Sequence, residues 1–106
     1  MHFYGGGELF IAAIFYRRSD QMTETKETRV AVITIIVEEP GCVPAINEIL
    51  HAAADSIIGR MGIPYREKNI SIISAAVDAQ QDVINNISGR LGRVRGATVK
   101  TAYSKK

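Results

Sequence analysis

The sequence predicts one α+β domain with the ferredoxin-like order βαββαβ, a four-stranded antiparallel sheet with two helices on one face. Between Arg29 and Tyr103 the spacing of hydrophobic residues changes in the order two, three to four, two, two, three to four, two. Period two is typical of strands and the longer period of helices, and this order is the split βαβ pattern. With 106 residues, 46% of them hydrophobic, the chain has room for one such folded domain.

The first predicted strand runs from Arg29 to Val37, and both of its faces are apolar apart from Thr34. A sheet that carries helices on one side only normally alternates apolar and polar residues. The apolar run therefore predicts that the open face of the sheet is covered as well. We expect a homo-oligomer, a dimer or a tetramer, that associates through this face.

The first predicted helix follows a turn at Pro40 and Gly41, and Pro44 suits its first position. The helix is expected to continue to about Ala54. Its apolar stripe consists of Val43, Ile46, Ile49, Leu50 and Ala53.

The second predicted strand, about Ile57 to Arg66, contains two glycines and Pro64. An edge strand tolerates proline better than a central strand does, which agrees with the strand order 4-1-3-2 of this fold. A polar turn over Glu67 to Asn69 leads into the third strand, Ile70 to Val77.

The second predicted helix is expected to begin after Asp78, which is a suitable capping residue. Its apolar stripe consists of Val83, Ile84, Ile87 and Leu91. A fourth strand, Ala97 to Tyr103, closes the domain, and a short polar tail follows it.

The first 21 residues do not fit this pattern, and Met22 opens a polar leader, Thr23 to Thr28, of the kind that often begins a small domain. The apolar segment from Leu9 to Tyr16 is far shorter than the roughly 20 residues that a bilayer span needs, and Glu8 precedes it where a secretory signal carries positive charge. We expect no membrane segment. Residues 1–28 are interpreted as a disordered or non-native extension and leader, and residues 29–106 as the domain.

The residue types argue against catalysis and against a metal or other cofactor within one subunit. Cys42 is the single cysteine, which excludes an internal disulfide and suits a reducing cytoplasm. It lies nine residues from His51, so the two cannot bind one ion without large distortion; a metal site shared between subunits stays open. No base and orienting group accompany Cys42 as a nucleophile would require.

The turn before the first helix is the best candidate for a ligand site. A glycine turn that leads into a helix start exposes backbone N–H groups, which attract anions. We expect a small anionic or amino-acid-like ligand near Gly41, Cys42 and Val43, with Glu39 and Asn47 close enough to discriminate among ligands. The alternative interpretation is an ordinary turn.

A basic run marks the C-terminal part of the chain, where Arg90, Arg93 and Arg95 precede three lysines and no acidic residue intervenes. These arginines are candidates for contacts with nucleic-acid phosphates. Positive charge also complements the dipole at the end of a helix. We favour the second interpretation because no helix-turn-helix or aromatic RNA-binding motif is present.

Several segments of the chain resemble the iron-only hydrogenase system regulator family. The similarity extends from Arg29 to Thr101, and the segments that carry it are Ile33–Val37, Ile46–His51, Arg60–Asn69 and Ile87–Gly92, followed by Gly96 and Val99–Thr101. The resemblance implies a small cytoplasmic regulator of iron-only hydrogenase production without enzymatic activity. It also implies an ACT-like fold, similar to the C-terminal domain of the nickel-responsive regulator, and the Pro40–Gly41 turn resembles the ACT effector loop. The chain lacks that regulator's histidine-rich metal set and its DNA-binding ribbon-helix-helix.

The leading hypothesis is therefore a non-enzymatic, ACT-like regulatory module that binds a small ligand and assembles with itself. A repressor that binds nucleic acid through Arg90, Arg93 and Arg95 is the alternative, and a purely structural assembly factor is the third possibility. Phosphate binding weakens steeply as salt rises, whereas binding in a buried pocket responds little, so salt dependence separates the first two.

Overall fold

The computed structural model describes residues 2–5, 8–11, 13–16 and 27–106. Its helices are α1 (Val43–Ala52) and α2 (Gln81–Gly92). Its strands are β1 (His2–Gly5), β2 (Glu8–Ile11), β3 (Ala13–Tyr16), β4 (Arg29–Val37), β5 (Ile57–Tyr65), β6 (Ile70–Ala79) and β7 (Ala97–Tyr103).

The order of elements from β4 to β7 confirms the predicted βαββαβ fold. Strands β5, β6, β4 and β7 lie side by side in that order, and each pairs with its neighbour in antiparallel fashion. In the numbering of the fold itself this is the expected order 4-1-3-2. Of these four strands, β4 and β6 are the central pair.

The strand β5 differs from its predicted place at the edge of the sheet. Strand β3 pairs with β5 over residues 59–62 and extends the sheet to five strands. Pro64 lies beyond this paired segment, where its missing N–H group costs no pairing with β3. Strands β1 and β2 pair with each other in a separate two-stranded sheet. The interpretation of residues 1–28 as an extension outside the native domain stays a prediction.

Burial alternates strictly along β4. Ala31, Ile33, Ile35 and Val37 are almost completely buried beneath the two helices. The intervening side chains point to the other face of the sheet, where Val30, Val32 and Ile36 remain among the exposed large hydrophobic residues. The period of two thus separates the apolar run into a core face and an open face.

The core between the sheet and the helices is entirely apolar among the described residues. Isoleucine, leucine, valine and alanine side chains from α1, α2 and three of the strands fill it. The helical stripes supply Ile46, Ile49 and Leu50 from α1 and Ile84, Ile87 and Leu91 from α2. No helix of the described segments is long and apolar enough to cross a lipid bilayer.

The predicted cap of the second helix is wrong. Asp78 belongs to β6, which is two residues longer than expected, and Gln80 occupies the N-cap position of α2. The physical reason is the ladder with β4, because Asp78 and Ala79 pair with the first two residues of that strand, Val30 and Arg29. Sheet pairing therefore outcompetes the capping preference of aspartate.

The other boundaries shift by one or two residues. Helix α1 ends at Ala52, and the chain then tightens into a 3-10 turn over Ala54–Ser56. In β5 the register shifts between Ile57 and Gly59, which is a β-bulge at the first of the glycine irregularities. At the β5–β6 turn, Asn69 adopts the left-handed conformation with φ of 56°, as asparagine does more readily than most residues.

Candidate functional site

A surface cleft lies between the first half of α1 and strand β5, on the helix-covered side of the sheet. Its volume is about 220 Å³. The residues that line it come from α1, β5 and β6, and they are Val43, Asn47, Arg60, Gly62, Ile63, Pro64, Ser71 and Ile73.

Regular backbone spacing brings most of these residues together. Val43 and Asn47 are four positions apart on α1, so they lie on one side of the helix. Arg60, Gly62 and Pro64 alternate along β5, so they lie on one face of the sheet. The register partners of the last two on β6 complete the floor of the cleft.

The electrostatic character of the cleft comes from one side chain. Arg60 is the single charged residue among those that line it. One guanidinium N–H of Arg60 donates to Oδ1 of Asn47 at 2.9 Å. This hydrogen bond ties the guanidinium of β5 to α1 and limits its freedom before any ligand arrives. The arrangement favours anions, because a fixed guanidinium offers several N–H donors and no carboxylate of the lining competes for them.

A glycine keeps the floor of the cleft open. A β-carbon added at Gly62 would meet no heavy atom within 4 Å. The position therefore has space that the fold itself does not fill, although glycine weakens the interior of a strand. A substitution at residue 62 would therefore place its side chain into the cleft.

The structure brings two of the five predicted ligand residues into the cleft. Val43 and Asn47 line it, whereas Glu39, Gly41 and Cys42 do not. Gly41 is exposed, and a β-carbon added there would meet no heavy atom within 4 Å. Cys42 is half-buried and packs against the hydrophobic core.

The backbone N–H groups of the turn are partly occupied. The residues Pro40–Cys42 form a 3-10 turn, in which the N–H of Cys42 donates to the Glu39 carbonyl at 3.1 Å and the N–H of Val43 donates to the Pro40 carbonyl. Two of the donors that were expected to attract an anion are thus satisfied within the turn itself.

Glu39 faces a different part of the molecule. Its N–H donates to the carbonyl of Gly96 at 3.0 Å, and the neighbouring N–H of Glu38 donates to the same oxygen at 2.8 Å. The Glu39 side chain packs directly over Gly96, where an added β-carbon would lie 2.8 Å from the Glu39 β-carbon. The role of Glu39 in this position is to close the β4–β7 end of the sheet.

The predicted basic residues lie apart from the cleft. Arg90, Arg93 and Arg95 are all exposed, at the end of α2 and in the segment that leads to β7. Arg90 lines a second, smaller cavity of about 160 Å³ between α1 and α2. The backbone N–H of Arg93 donates to the Arg90 carbonyl at 3.2 Å and closes the end of α2. Arg90 is the basic residue in the last turn of this helix, where positive charge complements the helix dipole.

Titratable groups do not form a metal-binding cluster in residues 27–106. Three or more histidine, cysteine, aspartate or glutamate side chains nowhere come together there as metal ligands would. The pKa of Tyr65 is raised, first because its hydroxyl hydrogen-bonds to Glu67 and second because of the negative charge of that carboxylate. Tyr65 lies at the end of β5 on the face opposite to the cleft.

Sequence reasoning missed Arg60 and assigned Gly62 only a strand irregularity. The available signal was the alternation of a cation, a glycine and a proline along one face of β5. That signal is weak without the fold, because the sequence does not reveal that α1 packs Asn47 against this face.

Comparisons with known proteins add an independent result. Residues 29–101 match the model of the TM1266-like family, which carries the description "Iron-only hydrogenase system regulator, putative". No curated protein matches the chain. Among solved structures, the chain is similar to "uncharacterized protein TM1266 from Thermotoga maritima", with a TM-score of 0.71 and 36% sequence identity over 74% of this chain and 100% of that chain.

Proposed function

We propose that this chain, which belongs to the TM1266-like family of iron-only hydrogenase system regulators, is a non-enzymatic regulatory module that binds a small anionic ligand between α1 and β5. The family match, over residues 29–101, covers the βαββαβ unit except for the last two residues of β7. The ligand-binding part of the proposal is our own, and it rests on the cleft.

The observation that carries the proposal is the Arg60 guanidinium, held by Asn47 at 2.9 Å in a cleft with no other charged lining residue. A guanidinium binds a carboxylate through two parallel hydrogen bonds, and such charge-assisted bonds are among the strongest in proteins. A carboxylate is therefore the ligand group that the cleft fits best.

The size of the cleft limits the ligand. Pockets for drug-sized molecules measure about 300–1,000 Å³, and this cleft measures about 220 Å³. It suits a molecule of the size of an amino acid or a short dicarboxylic acid. Val43, Ile63, Pro64 and Ile73 supply apolar walls for a short carbon chain, and the Ser71 hydroxyl offers a polar group on the floor.

The position of the cleft suggests how binding would act on the rest of the molecule. Its two walls belong to α1 and β5, which come from different layers of the fold. A ligand that bridges them would fix their relative position and stabilise the folded state by its binding free energy.

We also propose that the regulatory form is a homo-oligomer, a dimer or tetramer, that associates through the open face of the sheet. Val30, Val32 and Ile36 are 42%, 38% and 38% exposed on that face. Burial of each aliphatic side chain favours association, since removal of apolar area from water contributes about 25 cal/mol per Å². The free thiol of Cys42 supports a reducing, cytoplasmic location.

The ligand proposal is tested by thermal unfolding of the full chain with and without succinate or L-glutamate. Each acid that binds raises the melting temperature, and the shift grows with its concentration. Arg60→Gln removes the charge but keeps a donor for Asn47, and we expect it to weaken binding about tenfold or more through loss of charge-assisted bonds. Lys68→Gln, which removes one positive charge in the β5–β6 turn, is the control and should leave the shift unchanged.

A pair of glycine substitutions locates the site. Gly62→Val would fill the cleft and abolish the shift, whereas Gly41→Val would leave it intact, since a β-carbon meets no heavy atom within 4 Å at either position. If Gly41→Val abolishes the shift and Gly62→Val leaves it intact, the ligand binds at the Pro40–Val43 turn instead. A shift that survives both Arg60→Gln and Gly62→Val would refute the cleft as the ligand site.

A further inference from the structure

The open face of the sheet carries one buried polar atom without a partner. Asp78 lies on β6 opposite Val30 of β4, so its side chain belongs to the open face. Its Oδ1 atom is shielded from solvent and has no hydrogen-bond partner among the described residues. Because Oδ1 is already shielded within the chain, a cation from outside can meet this carboxylate only through its other oxygen, Oδ2.

The open face of the sheet also carries a cation, on β7. Lys100 lies on β7 opposite Thr34, and it is exposed. Asp78, on β6, lies opposite Val30, which is two positions before Val32 on β4. Lys100, on β7 at the other side of β4, lies opposite Thr34, which is two positions after Val32. The two charges are therefore placed symmetrically about Val32, at the centre of the exposed apolar patch.

We infer that a second copy of this chain packs its open sheet face on this one about a two-fold axis at Val32, so that each Asp78 carboxylate meets the partner's Lys100. The inference rests on the proposed self-association and adds its geometry. A two-fold axis that lies between the sheets and runs perpendicular to the line from Asp78 to Lys100 exchanges the two positions. One rotation thus forms both ion pairs, as a symmetric dimer interface requires.

The spacing of the sheet gives the orientation of the two copies. From Val32 to either charge the distance is two residues along the strand, about 6.8 Å, and one strand across, about 4.8 Å. The line from Asp78 to Lys100 is therefore inclined to the strands. The rotation that exchanges the two positions then makes the strands of the two sheets cross at roughly 70°. This is close to the orthogonal class of sheet packing. Sheets packed face to face lie about 10 Å apart, a gap that the long lysine stem of one copy and the short aspartate of the other fill together.

The Glu38 carboxylate at the end of β4 is already satisfied. Both of its oxygens accept from the hydroxyl of Thr98, at 3.1 and 2.9 Å. On β6, β4 and β7 the rest of the open face is mostly apolar, with the hydroxyl groups of Thr34 and Ser74 near its centre and with one acid and one base at opposite corners. An apolar ligand without a basic group would bury Asp78 unpaired, which is costly. A second copy supplies the base from its own lysine at position 100.

Sedimentation velocity on the full chain at micromolar concentration and low salt tests the arrangement. The wild type is expected to sediment as a dimer or a tetramer of 11.6 kDa subunits. Asp78→Lys places two lysines against each other twice in the homodimer, and Lys100→Glu does the same with two acids. Each variant alone should raise the dimer dissociation constant at least about tenfold.

The decisive sample is an equimolar mixture of the two variants. The lysine introduced at position 78 of one chain then meets the glutamate introduced at position 100 of the other. The unchanged Asp78 and Lys100 form the second pair, so the heterodimer regains both. Dimerisation restored in the mixture supports the arrangement. Glu48→Lys on α1 and Lys68→Glu in the β5–β6 turn make the same charge changes at exposed positions elsewhere and should not affect assembly.

Each contrary result has a distinct meaning. A monomeric wild type would overturn the self-association together with its geometry. A dimeric wild type with unaffected single variants, or with a mixture that stays monomeric, would overturn the pairing of Asp78 with Lys100 while self-association stands. If Asp78→Lys does not fold by circular dichroism, Lys100→Glu decides, since its position is exposed, and unchanged dimerisation of that variant refutes the arrangement.

Discussion

Gly96 links the first and the last strand of the βαββαβ unit, β4 and β7. Its φ of +93° lies in the region that L-amino acids other than glycine rarely adopt. Its carbonyl accepts the N–H groups of Glu38 and Glu39, so the residue fixes the exit of β4 against the entry of β7. The Glu39 side chain closes over the position where a β-carbon would lie.

We predict that Gly96→Ala destabilises the fold. The backbone conformation alone costs about 1–3 kcal/mol for a residue with a β-carbon, and the contact at 2.8 Å with the Glu39 β-carbon adds to this cost. Denaturant unfolding measures the change. Gly89→Ala is the matched control, because it lies inside α2 with free space around it, and it should stabilise by about 0.5–1 kcal/mol. Equal effects of the two substitutions would contradict this role of Gly96.

At the scale of elements, a polar cluster joins the start of β4, the start of α2 and the end of β7. An Arg29 N–H donates to Oε1 of Gln81 at 2.7 Å, and Nε2 of Gln81 donates to the Tyr103 hydroxyl at 2.8 Å. The Arg29 guanidinium also lies 4.5 Å from the centre of the Tyr103 ring, within the range of a cation–π contact. The cluster replaces the missing side-chain cap of α2 as an anchor for that helix.

We predict that Tyr103→Phe lowers the free energy of unfolding by about 0.5–1.5 kcal/mol, the usual contribution of one hydrogen bond. The ring contact with Arg29 remains in this variant. Tyr103→Leu should cost about 0.5–1 kcal/mol more, because the cation–π contact is also lost. Tyr65→Phe at the end of β5 is the comparison, because it also removes one hydroxyl hydrogen bond, to Glu67, but at the surface, where we expect a change within about 0.5 kcal/mol. An equal loss for Tyr65→Phe and Tyr103→Phe would show that the cluster has no special role.

Helices and strands were predictable where one hydrophobic period runs through the whole element, and their ends were less predictable. The apolar stripes of α1 and α2 and the alternation along β4 follow from local spacing, and the structure confirms them except at Val83 of the α2 stripe, which is 37% exposed. Asp78 was misassigned because a capping residue and a strand residue look alike until the pairing with Val30 is known. The boundary was decided by a partner 48 positions earlier in the chain.

At the scale of the whole molecule, the sequence predicted the fold and the family but only part of the cleft. Val43 and Asn47 were found because they lie just after a glycine turn. Arg60 was missed because its significance depends on contact with Asn47 across two layers of the fold. Likewise, the apolar open face was predicted from β4 alone, but the relation of Asp78 to Lys100 emerges only when three strands are in register.

The proposed ligand site is separate in space from the basic C-terminal residues. Arg60 lies beside α1, whereas Arg90, Arg93 and Arg95 lie at the end of α2 and beyond it. A ligand that binds in the cleft and a polyanion that binds the arginines would therefore affect different backbone N–H groups.

The measurement that tests the central claim most directly is a titration of the ¹⁵N-labelled full chain with succinate, followed by backbone N–H chemical shifts at constant ionic strength. We predict changes that saturate and that cluster at Asn47, Arg60, Gly62 and Ser71, with a matched sodium chloride titration producing none of them. Arg60→Gln should remove these changes. Saturable changes confined to residues 90–95, or no saturable change with succinate or L-glutamate, would contradict the proposal that this cleft binds a small carboxylate.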